Sequence, residues 1–405
     1  MSGTKHSGRL PNLRFQEFRG TGDWEKGKVD DLVDTVTSPK KLPTSVYGSS
    51  GTFPIIDQSQ SEICGWTNDE EALIQENLPL LVFGDHTCIL KLINRPFAQG
   101  ADGIKILKTR PMVGTSYLFQ FLSYQPVLTE EYKRHYSILK EKIVFFPEIK
   151  SGEQQKIADC LSSLDDLITL EAQKLDSLKA HKKGLMQQLF PREGETQPRF
   201  RFPEFKNAGE WGDAPLGELL MSSPDYGVNA AAVPFSEQLP KYLRITDISE
   251  DGRYLPEKQV SVDLEATDGN YLEEGDIVLA RTGASVGKSY QCRKEDGRLV
   301  FAGFLIRVKP HPKKLVSTYL ANYLTSGQFW KWVAVTSTRS GQPGINSTEY
   351  SSLTIPLPSL PEQQRIASCL TSLDDLITAQ TQKLEALKTH KKGLMQQLFP
   401  QASEE

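Results

Sequence analysis

The sequence predicts an α+β protein built as a pseudo-twofold tandem repeat, with two variable domains on twisted β-sheets separated by a rod of two long antiparallel coiled-coil helices. Two repeats predict it. Residues 153–191, EQQKIADCLSSLDDLITLEAQKLDSLKAHKKGLMQQLFP, return at 362–400 as EQQRIASCLTSLDDLITAQTQKLEALKTHKKGLMQQLFP, with thirty of thirty-nine positions identical. Self-similarity of that strength organises a whole chain. A weaker repeat pairs PNLRFQEFRGTGDWEKGKVDDLV (11–33) with PRFRFPEFKNAGEWGDAPLGELL (198–220), sharing Arg14/Arg201, Phe15/Phe202, Phe18/Phe205 and Trp24/Trp211. The order is cap, variable block, long helix, given twice. The expected boundaries are 1–150 for the first cap and block, 151–191 for the first helix, 192–360 for the second cap and block, and 361–405 for the second helix.

The first block, about 25–150, is dense in Gly, Pro, Ser and Asn, and its short β-rich runs LPLLVFG (78–84) and CILKLI (88–93) predict strands. In the helix that follows, Ile157, Leu161, Leu164, Ile168, Leu175, Leu178, Leu185 and Leu189 fall on alternating three- and four-residue steps, a coiled-coil seam. The second block, about 212–360, predicts strands at DIVLA (276–280) and LVFAGFLIRV (299–308), and shorter amphipathic helical stretches over 315–335. The second helix repeats the seam from Ile366 to Leu398. Both seams are polar at the same two places, Glu171 and Lys182 in the first, Gln380 and Lys391 in the second. Such breaks fix register at some cost in stability. Ser151 and Ser359 are the expected N-caps, and Pro191 and Pro400 the stops, for helices roughly 55 Å long.

Two matching seams in one chain cover each other by the logic of an isologous dimer, antiparallel about a pseudo-twofold axis. The second helix has no cap after it, so the cap at 11–24 is expected to fill that place and close a pseudo-ring.

Composition narrows the function classes. With 38% hydrophobic and 24% charged residues the chain is an ordinary globular protein. No eighteen-residue apolar run spans a membrane, and MSGTKHSGRLPNLRF lacks the apolar stretch of a secretory signal. The five cysteines, Cys64, Cys88, Cys160, Cys292 and Cys369, form no C-x-x-C pair, which fits reduced thiols in the cytoplasm. A net charge of −4 means that any phosphate-binding surface is local.

Catalytic motifs fail on inspection. RTGASVGKS (281–289) is one residue short of a phosphate-cradling P-loop, and a turn beside a strand is the better reading. Asn94-Arg95-Pro96-Phe97 departs from an adenine-methyltransferase site at Arg95 and reads as a turn. Two basic stretches are more informative. Residues 281–314 carry Arg281, Lys288, Arg293, Lys294, Arg298, Arg307, Lys309, Lys313 and Lys314, and residues 91–110 carry Lys91, Arg95, Lys105, Lys108 and Arg110. One in each half favours a shared polyanionic partner.

PLPSLPEQQRIASCLTSLDD (356–375) and its pair SGEQQKIADCLSSLDD (151–166) resemble the helix starts of type I restriction–modification specificity subunits. KYLRITDIS (241–249), GDIVLARTGASVGKS (275–289) and SGQPGIN (340–346) look like that family's target-recognition domains, as do VFGDHT (82–87), FAQGADG (97–103) and YKRHY (132–136). The resemblance covers essentially the whole chain, and departs in that the first helix begins at SGEQQ without the Leu-Pro of the second. It implies a non-catalytic subunit that recognises an asymmetric, two-part double-stranded DNA target. Two modification subunits would use S-adenosylmethionine to methylate adenine, and two restriction subunits would use ATP and Mg to cleave; this chain is expected to bind no cofactor or metal itself.

The residues expected to read DNA are Asp85, His86, Thr87, Lys105, Lys133, Arg134 and His135 in the first block, and Arg281, Thr282, Ser285, Lys288, Arg339, Gln342 and Asn346 in the second. Arg281 has the planar fork that suits a guanine edge, and Lys288 suits a phosphate as a point charge. Gln154, Gln155, Asp165, Asp166, Gln363, Gln364, Asp374 and Asp375 are the expected partner-binding positions on the helices. The rival readings are a scaffold whose end domains bind protein, and an enzyme with an unrecognised site.

Overall fold

The computed structural model describes residues 10–101, 103–129, 134–338 and 342–400. The chain divides into two compact units, one running to Gln173 and resuming at Gln382, the other spanning Lys174–Thr381.

The first unit holds β1 (Glu25–Lys28), α1 (Val29–Leu32), β2 (Val33–Val36), β3 (Phe53–Ile56), β4 (Gly65–Thr67), β5 (Leu80–Gly84), β6 (Leu90–Ile93), β7 (Ala98–Gln99) and β8 (Ile104–Thr109). Helices α2 (Thr115–Tyr124) and α3 (Tyr136–Glu141) and strand β9 (Ile143–Phe146) lead into the long helix α4 (Glu153–Leu189). Its main sheet has the order β2-β8-β5-β6, a smaller one β4-β3-β7, and β1 pairs with β9.

The second unit holds β10 (Gly212–Pro215), β11 (Asp225–Tyr226), β12 (Ala232–Pro234), β13 (Lys241–Leu243), β14 (Val260–Val262), β15 (Ile277–Ala280), β16 (Ser289–Gln291), β17 (Leu299–Phe301) and β18 (Leu305–Val308). Helices α5 (Ser317–Tyr323), α6 (Gly327–Thr336) and α7 (Ser347–Ser351) and strand β19 (Thr354–Leu357) precede the long helix α8 (Leu360–Leu398). Here the main sheet has the order β11-β18-β15-β16, the second β12-β14-β13-β17, and β10 pairs with β19. Blocks with no obvious similarity along most of their length therefore share the topology of the main sheet, while the second sheet of the second unit has β12 in addition.

Alternation along the central strands explains their continuous apolar runs. In β5, Leu81 and Phe83 enter the core with α2, whereas Leu80 and Val82 enter a second core on the opposite face. In β15, Ile277 and Leu279 go one way, Val278 and Ala280 the other. A strand covered on both faces has no polar side to show. The helical stretches expected over 315–335 are two, because the turn at Leu324–Ser326 ends α5 and Ser326 then caps α6 by accepting a hydrogen bond from the Phe329 amide. The expected strand at 299–308 likewise splits into β17 and β18 around residues 302–304.

The long helices run antiparallel within each unit. In the first, Ile157 and Leu161 at the start of α4 share a core with Met395, Leu398 and Phe399 at the end of α8. In the second, Ile366 and Leu370 share a core with Leu189 and Phe190. The polar seam positions find partners across the pair: Lys391 bonds Asp165 at 2.5 Å, Lys182 bonds Asp374 at 2.6 Å, and Lys383 pairs with Glu171. The first two are the same ion pair in the two copies. The helix starts differ as the sequence suggested: α8 begins at Leu360, but Gly152 in the left-handed conformation (φ 81°) holds α4 back to Glu153.

Each cap closes a helix end. The Leu13 amide donates to the Gln397 carbonyl at 2.9 Å, and the Phe200 amide donates to the Gln188 carbonyl at 2.9 Å. The cap at 11–24 thus sits at the end of α8 as its counterpart sits at the end of α4. Arg14 forks onto Glu153 through two bonds of 2.7 Å, and Arg201 onto Glu362 at 2.7 and 2.8 Å. Both carboxylates are buried, at 0% and 1% exposure.

Candidate nucleic-acid interface

In the first unit the site is built on the turn between β5 and β6. The Gly84 amide donates to the Ile89 carbonyl, which closes the hairpin, and the Asp85 amide donates to Gly103 at 2.7 Å. The Asp85 carbonyl accepts the His135 amide at 2.9 Å and lies 3.0 Å from its Nδ1, and the Asp85 carboxylate accepts the Tyr136 amide at 2.9 Å. Asp85 and His135 are buried and serve as struts, fixing α3 beside the turn. What they present outward is His86, Thr87 and Arg134, all exposed, and Lys105, whose Nζ lies 5.4 Å from the centre of the Tyr136 ring. Lys133 lies outside the described residues.

The second unit repeats the frame with other side chains. The Ala280 amide donates to Lys288, the Arg281 amide to Phe304, and the Arg281 carbonyl accepts the Ile345 amide at 2.9 Å. These are the same three backbone bonds, so Arg281 stands where Asp85 stands and Ile345 where His135 stands. Glycines 283 and 287 take positive φ (75° and 87°), the left-handed turns that let the hairpin close. The Arg281 guanidinium stacks 4.8 Å from the Tyr226 ring, itself hydrogen-bonded to Ser347, which lowers the phenol below its ordinary value. Thr282 and Ser285 are half-buried, and Gln342 is exposed beside Gly283. Asn346 spends its side chain on the N-cap of α7, accepting from the Glu349 amide at 2.9 Å. Arg339 lies outside the described residues.

Most of the basic stretches are neutralised within the chain. Lys288, expected to face a phosphate, is 14% exposed and bonds Glu250 at 2.8 Å. Arg307 is buried against Asp225 and lies 3.7 Å from Asp276, whose carboxyl burial raises above the usual range. Lys309 pairs with Glu273, Arg298 with Asp268, Lys108 with Glu76, and Arg110 with Asp34. Lys91 is buried on the Asp57 and Ser61 carbonyls. Among the described residues, Arg281, Lys105 and Arg134 remain without a carboxylate partner at the two turns.

On the helices, Gln154 and Gln363 do not face outward. Gln154 accepts the Gly114 amide and donates to the Met112 and Pro147 carbonyls; Gln363 accepts the Val316 amide and donates to Lys314 and Pro358. At 2% and 1% exposure they lock each helix start to its own domain. Asp165 and Asp374 are taken by the seam lysines. Gln155, Gln364, Asp166 and Asp375 are exposed, beside Leu167 and Leu376 at 37% and 54%. The Arg–Glu forks are structural ties that sequence reasoning missed, although the identity of Arg14 with Arg201 and of Glu153 with Glu362 marked them; the two glutamines, expected to bind a partner, hold the helix starts instead.

Among the described residues no group of three or more His, Cys, Asp or Glu gathers as a metal site, and no helix is long and apolar enough to cross a membrane. Residues 223–389 match the family described as Type I restriction modification DNA specificity domain. Over 410 residues the chain is 24% identical to the Type I restriction enzyme MjaVIII specificity subunit of Methanocaldococcus jannaschii, with 95% of each chain covered. The crystal structure of the type I restriction-modification system S subunit from M. genitalium is similar in fold, with a TM-score of 0.66 at 15% identity, covering 98% of this chain and 100% of that one. The family match takes in the turn at Arg281, α7 and most of α8, and the Methanocaldococcus jannaschii relative aligns nearly end to end; along almost its whole length the chain is similar to type I restriction–modification specificity subunits.

Proposed function

We propose that this chain is the non-catalytic, sequence-reading component of its system, recognising an asymmetric two-part target in double-stranded DNA. The observation that carries the reading is the common backbone frame of the turns at Asp85 and Arg281, dressed with unlike side chains. One scaffold with two sets of readers suits two different half-sites. The domains at 1–150 and 192–360 each read one half, and the helices at 151–191 and 361–405 set the gap. The near-identical outer faces around Asp166 and Asp375 suit two copies of one partner, a modification subunit that carries S-adenosylmethionine and methylates adenine. Two restriction subunits with ATP and Mg complete the nuclease, and the assembly works in the cytoplasm.

The test is binding of the chain, with its modification subunits, to duplexes differing in one half-site. Arg281→Ala is expected to cost about 1–3 kcal/mol on the cognate duplex and to relax discrimination in the half read by the second domain. Lys288→Ala should leave the salt dependence nearly unchanged, since Glu250 already neutralises it. Cognate binding and discrimination identical to wild type in Arg281→Ala would remove that turn from the reading surface. Binding to protein ligands but to no duplex would favour the scaffold reading.

A further inference from the structure

The second unit contains a cleft of about 1230 Å³ between the last turns of α4 and the start of α6, which the recognition residues do not line. Its charges are unevenly matched. Asp374 is held by Lys182 and lies 3.8 Å from Arg253, Asp251 lies 3.5 Å from Arg253, and Glu250 is bonded to Lys288. Lys179, Lys183, Arg192 and Lys331 also line the cleft, and none has a carboxylate partner among the described residues. Among the described residues, Glu193 is the one lining acid without a cation partner. The free charge is therefore positive, in a chain whose total is −4.

The cations are in a row rather than converging on a point. Lys179 and Lys183 stand near the end of α4, whose ten remaining steps from Lys179 to Leu189 cover about 15 Å, Arg192 follows just past that end, and Lys331 is on α6. Such a row matches a polyanionic strand better than a single small anion. The cleft also adjoins the recognition hairpin. A Cβ on Gly287 would meet Val333 at 2.8 Å and Trp330 at 3.3 Å, and Trp330 lines the cleft at 42% exposure. Glu250 on the rim ties Lys288 of the same hairpin. Helix α6 has no counterpart between α2 and α3 among the described residues of the first unit, so the device belongs to the second half.

We infer that this cleft holds the sugar-phosphate backbone of the duplex beside the second half-site, adding sequence-independent affinity to one half of the target. The inference rests on the DNA-recognition reading and adds a contact surface to it. The test uses the chain assembled with its modification subunits and compares wild type with the triple variant Lys179→Ala, Lys183→Ala, Lys331→Ala. The expected result is a binding constant weakened by about tenfold or more, equally for duplexes with a right or wrong second half-site, and a log–log salt slope smaller by about two to three units. Replacing the same lysines by arginine should restore the slope. Phosphate-ethylation interference next to the second half-site should disappear in the alanine variant. An unchanged slope and affinity in a folded triple variant, with wild type still discriminating half-sites, would overturn the cleft proposal alone. Wild type that binds no duplex overturns both readings. A third arm titrates tripolyphosphate or ATP against Trp330 fluorescence; saturable binding lost in the triple variant, with DNA affinity unaltered, would assign the cleft to a free phosphate ligand and reject the backbone.

Discussion

Arg14 and Arg201 show how a single residue ties three parts of the chain together. Each belongs to a cap, follows a residue whose amide donates to the end of one long helix, and forks onto a buried glutamate at the start of the other. Glu153 and Glu362 have no access to water, so the pair persists only while both charges and both hydrogen bonds are present. Removing the arginine strands a buried carboxylate, and Arg14→Ala is expected to destabilise by about 3–5 kcal/mol in chemical denaturation. Arg14→Leu combined with Glu153→Leu should recover most of that loss, because the penalty lies in the orphaned charge. A single variant as stable as wild type would show the fork to be ornamental. The residues at the two turns obey a different logic. Asp85 and Arg281 hold equivalent backbone bonds, so the shared frame does not depend on which side chain sits there, although the Asp85 carboxylate adds a strut of its own to the Tyr136 amide.

That independence explains what the sequence concealed at the scale of elements. The seam leucines and the paired helices were legible because packing across a coiled coil constrains side chains directly. So were β5, β6 and β15, as short apolar runs beside turn residues. The shared topology of the two blocks was not, since backbone hydrogen bonds leave no trace in residue type and a doubly covered strand accepts any apolar pair. The burial of Lys91 and Arg307, which made two basic stretches look freer than they are, depends on carboxylates and carbonyls far away in sequence. The polar seam positions were legible as breaks but not as pairs. Lys182–Asp374 and Lys391–Asp165 tie the two helices at equivalent points and fix their antiparallel register. Lys182→Asp is expected to cost about 1–2 kcal/mol by placing two carboxylates together. Exchanging the pair, with Asp374→Lys added, should restore the melting temperature. Failure of the exchange to restore it would mean that the seam leucines alone set the register.

For the molecule as a whole, the cap at 11–24 follows α8 in space as the cap at 198–211 follows α4 in sequence. A cap therefore stands at the end of each long helix, with or without a covalent link between the two. A circular permutant that joins residue 405 to residue 1 through a short linker and opens between 192 and 197 is therefore expected to fold and to bind the same duplex within about threefold. A soluble, folded permutant that loses binding would mean that the existing termini are needed open. The central claim is that each domain reads its own half of the target on a common frame. It is tested most directly by sequencing the methylated motif in cells expressing this chain with its modification subunit, before and after residues 25–150 are replaced by another such domain. The expected motif changes in one half and keeps the other half and the gap. A motif altered in both halves, or in neither, would contradict it.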